Sequence, residues 1–115
     1  MRIMSFNKKW DKLEQPEFTT FRYPRADRDW EIGERVQVFY KNRSLQREKL
    51  GTAEIINKEL RKIATAYEAY RPTENEAQAD GFPSLLEMNV YFRKTYGSRI
   101  FEEPISKLTL RWLDK

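Results

Sequence analysis

Two stretches of this chain alternate apolar and polar side chains in a way that only a strand facing one core can use. In RVQVFY, Val36, Val38 and Tyr40 alternate with Arg35, Gln37 and Phe39; in SKLTLRWL, Leu108, Leu110 and Trp112 alternate with Lys107, Thr109 and Arg111. A period of two sends successive side chains to opposite faces, so both stretches predict half-buried strands. Three further segments have strand composition. RIMSF opens the chain, FTTFRY at 18–23 is β-branched and aromatic and ends at Pro24, and TAEII follows Gly51. ELRKIA either continues TAEII after a bulge or pairs with it.

Helical signals are fewer. PSLLEMNVYFRKTYG has Ser84 and Glu87 at capping-box spacing, Leu85, Met88 and Phe92 on one face, and Gly97 as its stop. NKKWDKLEQP predicts a short helix started by Asn7 and closed before Pro16, with Trp10 and Leu13 three apart on its buried side. Residues 65–79 lack a period and contain Pro72, which predicts a loop with room for one helical turn. The regular alternation of parallel βαβ units is absent. The expectation is one α+β domain over residues 1–115, a small mixed or mainly antiparallel β-barrel with two or three flanking helices.

The chain contains no cysteine and no histidine. Disulfides, thiol nucleophiles, Cys or His zinc sites and imidazole-dependent triads are thereby excluded, and no metal or cofactor motif is found. Acid–base chemistry would have to run on carboxylates, lysine, tyrosine, threonine or water. The opening MRIMSFNKKW has no long apolar run, so neither a signal peptide nor a membrane span is expected and the default location is cytoplasmic. Of 22 basic residues, 12 lie in residues 1–50 against 8 acids, while residues 51–115 carry 10 of each. That asymmetry favours a polyanionic partner, or else serves solubility alone.

The residues able to carry function cluster early. Strand alternation puts Phe18, Thr20 and Arg22 on one face and Thr19, Phe21 and Tyr23 on the other. An arginine beside a threonine hydroxyl suits a phosphate or a nucleobase edge, and it is equally ordinary on an exposed strand. Arg25 follows at once. The segment KNRSLQREK supplies Lys41, Arg43, Arg47 and Lys49 against one acid, Glu48, so it reads as a phosphate-contacting loop or as a solvated one. Trp112 lies in line with core leucines and Trp10 anchors its helix, which leaves Trp30 and Tyr40 as the base-stacking candidates, at roughly 1–3 kcal/mol per stacked base. Asp80 before GFPS reads first as a turn acid.

Taken in order, EFTTFR, DWEIGERVQVFYKNRS, ADGFPSLLEM and KLTLRWL resemble the ASCH family of the PUA-like superfamily. DGFPSLLEM is similar to that family's acidic-Gly-Phe turn into a helix. The resemblance implies a PUA-like barrel with a cleft between barrel and helices and a role in RNA binding or RNA-linked regulation. It also implies that some relatives hydrolyse an acylated cytidine with a lysine, a threonine and an acid. In the family signature a glycine is followed by a lysine, then a threonine or glutamate, then an arginine. Thr20 and Arg22 match its last two positions; Gln15 and Glu17 stand where the glycine and lysine would be.

A glutamate in place of the lysine reverses the charge and removes the amine. The leading expectation is therefore a non-catalytic RNA-binding module using Thr20, Arg22, Arg25, Trp30, Tyr40, Lys41, Arg43, Arg47 and Lys49. The alternative is an amidohydrolase acting on N4-acylated cytidine with Thr20, Asp80 and a displaced lysine, Lys12. A protein-interaction domain is the third reading. RNA or a modified nucleoside is the expected partner, with no membrane, metal or cofactor.

Overall fold

The computed structural model describes residues 1–63 and 65–115. Its strands are β1 (Arg2–Phe6), β2 (Glu17–Arg22), β3 (Arg35–Tyr40), β4 (Glu48–Arg61) and β5 (Ile105–Asp114). Its α-helices among the described residues are α1 (Glu74–Ala79), α2 (Leu85–Tyr96) and α3 (Arg99–Glu102). Each alternating stretch is a strand. TAEII and the first half of ELRKIA, Glu59–Arg61, continue one another within β4, with a shift in register between Ile55 and Asn57; Ala64 lies outside the described residues.

The strands form one sheet in the order β1-β3-β4-β5-β2, with β1 parallel to β3 and the other three pairs antiparallel. β1 and β2 are its edges, and no backbone ladder joins them, so the sheet is open where a barrel would close. Side chains cross the gap instead. Arg22 Nη2 donates to Ser5 O at 2.9 Å and Arg25 Nη1 donates to Ile3 O at 2.9 Å.

Two apolar cores flank β2. Met4, Phe6, Leu13, Phe18, Val36, Val38, Leu108 and Leu110 fill the sheet's inner face. Phe21, Tyr23, Phe82, Met88, Phe92 and Ile100 form a second core beneath the helices. Because β2 carries apolar residues into both cores, Thr20 is buried and Thr19 and Arg22 are half-buried beside them. Trp10 packs against both cores.

The helices differ from expectation in detail. Asn7 does not start a helix; a 3₁₀ turn spans Asp11–Glu14 after Trp10, with Leu13 and, unexpectedly, Lys12 buried. Residues 65–79, expected to be a loop with room for one helical turn, hold a 3₁₀ turn at Glu68–Tyr70 and the short helix α1. Thr73 caps α1 through Glu76 N while the Glu76 side chain returns to Thr73 N, a complete capping box. At α2 only half of the expected box forms: Ser84 accepts from Glu87 N, and Gly97 ends the helix.

Candidate functional site

Where the two cores meet, a cavity of about 120 Å³ opens beside β2. Its walls are aromatic, with Phe6, Trp10, Phe82, Tyr91 and Tyr96, and its polar groups include Lys12, Thr20, Arg22 and Asp80. Three local devices deliver these four groups. The 3₁₀ turn points Lys12 inward, β2 supplies Thr20 and Arg22 from one face, and Asp80 caps the C-terminal end of α1. Gly81 then turns the chain at φ +107°, a conformation that L side chains rarely adopt. A Cβ there would stand 2.7 Å from Cε3 of Trp10, so the glycine also makes room for the indole over the cavity.

Lys12 and Asp80 form an ion pair at 3.2 Å, each side chain 6% exposed. Thr19 Oγ1 donates to the same Asp80 Oδ1 at 3.1 Å. Burial lowers the Lys12 amine to about 8, against the opposing pull of Asp80, and burial raises the Asp80 carboxyl against the pull of Lys12. Both shifts make the charge-separated state less favourable than it would be in water.

Arg22 Nε donates to Thr20 Oγ1 at 3.1 Å, which leaves the threonine's own hydrogen to donate elsewhere. The guanidinium also lies 4.6 Å from the Phe6 ring centre, and Lys12 Nζ lies 5.4 Å from it. Phe6 thus lies near two cations whose charges its π-face partly offsets. Burial lowers the Arg22 pKa, yet a guanidinium stays protonated. One carboxylate, two cations and an oriented hydroxyl therefore line a small aromatic space.

Thr20, Arg22, Lys12 and Asp80 are brought together here. Trp30 is not available for stacking: it is 2% exposed, its Nε1 donates to Tyr23 O at 3.1 Å, and Arg2 covers its ring at 4.3 Å. Tyr40 is half-buried, with Lys9 and Lys41 near its ring. Lys41 also bonds Gln46, Arg47 lies over Phe39, and Lys49 is exposed on β4. None of these four lines the cavity; Arg25 and Arg43 line the adjoining groove. The aromatic walls and Thr19 were not anticipated. Trp10, read as buried beside Leu13, and Phe82, next to Gly81 in DGF, were the wall residues with a visible signal.

Comparison with protein-family models, with curated proteins and with solved structures finds no match to this chain. Among the described residues, no helix is long and apolar enough to cross a membrane and no group of three or more metal-ligating side chains occurs.

Proposed function

We propose that this protein is a small amidohydrolase that removes an acyl group from the exocyclic amine of a nucleobase such as N4-acylated cytosine. The buried Lys12–Asp80 pair beside Thr20 carries this reading. It restores, from outside the strand, the amine whose expected position is held by Glu17. An ASCH-type, PUA-like barrel belongs to the same reading, with the β1–β2 gap sewn by arginine side chains in place of a ladder.

The chemistry follows from the groups present. Neutral Lys12 takes a proton from water, and the water oxygen adds to the acyl carbon. The free hydrogen of Thr20 and a remaining N–H of Arg22 donate to the developing oxyanion. Lys12 then returns the proton to the departing amine, which leaves the free base and a carboxylic acid that releases its own proton to water. Asp80 holds the lysine in place and stabilises its protonated form. The aromatic walls support a planar ring.

The test is incubation with N4-acetylcytidine followed by chromatography. Product formation that disappears in Lys12→Met and falls in Thr20→Ala is expected; no turnover above the Lys12→Met control would end the proposal. Binding of RNA without chemistry is the second reading, favoured by the exposed side chains of Arg43, Arg47 and Lys49. It predicts RNA affinity that falls steeply with salt, and no product.

A further inference from the structure

The cavity does not end at Arg22. Ser5, Arg22 and Tyr96 line both it and a neighbouring groove of about 550 Å³ that runs over the β1–β2 gap. Among the described residues, five arginines line that groove, Arg2, Arg22, Arg25, Arg43 and Arg99, and no carboxylate does. Their charges are unequally answered. Arg2 is held by Glu34 at 2.6 Å, Arg99 pairs with Glu103, and Arg25 reaches only the exposed Asp27 at 3.8 Å. Among the described residues, Arg22 and Arg43 have no carboxylate within 4.0 Å.

We infer that this groove is a phosphate subsite, so that the ligand of the cavity is a nucleotide rather than a free nucleoside. The inference rests on the reading of the cavity as a base site and adds to it the group next to the base. Grouped guanidinium groups that acids answer only in part repel one another, and a bound anion offsets that cost. Arginine's planar fork matches two phosphate oxygens at once, which a single ammonium does not. The sizes also divide the ligand. The cavity is small, and the wider arginine-lined groove adjoins it at Ser5, Arg22 and Tyr96.

The phosphate could belong to a mononucleotide or to a strand, and both are tested. Binding of cytidine, of cytidine 5′-monophosphate and of a short cytidine oligoribonucleotide would be measured by calorimetry at low and high salt. Turnover would be followed for N4-acetylcytidine, its 5′-monophosphate and an oligonucleotide containing it. The phosphate should tighten binding by about tenfold or more at low salt, as a charge-assisted contact does. Arg43→Ala, a change at an exposed loop residue, should remove most of that gain and leave the affinity for cytidine unchanged; Arg99→Ala provides a second variant. Preference for the monophosphate over the nucleoside identifies a mononucleotide site, and a gain confined to the oligonucleotide identifies a strand. Equal binding of cytidine and both phosphate-bearing ligands, or a gain untouched by both variants, overturns the inference. Nucleoside turnover without phosphate preference would sink the subsite and spare the hydrolase; phosphate preference without any turnover would do the reverse.

Discussion

Lys12 Nζ and Asp80 Oδ1 stand 3.2 Å apart in a space that each side chain leaves only 6% exposed. Removing either partner strands the other in an apolar enclosure. Lys12→Met is expected to destabilise the protein by about 3 kcal/mol, because Asp80 then keeps only the hydroxyl of Thr19. Adding Asp80→Asn should recover part of that loss. Urea unfolding of the single and double variants at neutral pH measures it; strictly additive losses would show that the pair is not coupled.

The same lysine sets a pH dependence. Its amine is lowered by burial to about 8, so turnover of the acylated nucleoside should rise with pH through that value and level off above it. Stability should move with it. The unfolded chain holds this proton up to the ordinary 10.5, so between about 8 and 10.5 it binds more protons than the folded one and stability from this group rises with pH. Thermal unfolding across that range, compared with Lys12→Met, should show the slope only in the parent.

A second charged cluster predicts the acid limb. Burial would raise the Glu76 carboxyl, but hydrogen bonds from Arg61, Lys107 and the Thr73 amide outweigh it and hold it at about 2, below the ordinary 4.5. The stability it contributes is complete above pH 4.5 and is lost as pH falls from there towards 2. Glu76→Gln should weaken the fold at pH 7 and flatten the acid slope, as followed by denaturant midpoints. An unchanged slope would mean the network contributes nothing there.

Gly81→Ala should cost about 2 kcal/mol from its φ of +107° alone, and more from the 2.7 Å approach to Trp10. The indole would have to leave its place against Phe82, where the ring centres are 5.1 Å apart. A changed tryptophan emission together with a lower melting temperature is the expected pair of signals. A lower melting temperature with unaltered emission would place the whole effect in the backbone.

Strands that bury one face were legible. Val36 and Val38 in β3, and Leu108 and Leu110 in β5, point to one core and write a period of two into the sequence. β2 was legible as a strand but not as a divider, because Phe18 and Phe21 serve different cores and composition does not assign them. Helix α1 is too short to show a period. Its signal was the Thr73 and Glu76 pair, which Pro72 and the irregular residues before it obscured.

Within the site, Thr20 and Arg22 were readable because strand alternation alone places them side by side. Asp80 and Lys12 were named as site residues only through the family resemblance, and their pairing was not readable, since the two partners lie far apart in the chain. Trp30 misled for a related reason. A tryptophan among charged loop residues looks free until its indole N–H is seen to reach Tyr23 O.

The arginines across the gap have one more effect. β1 and β2 are edge strands, whose unpaired backbone groups invite a strand from another molecule. Arg22 and Arg25 already occupy the carbonyls of Ser5 and Ile3 and leave positive charge along that border. An approaching strand meets engaged acceptors and fixed cations, so the same guanidinium groups that border the cavity and its groove protect the protein against edge-to-edge aggregation.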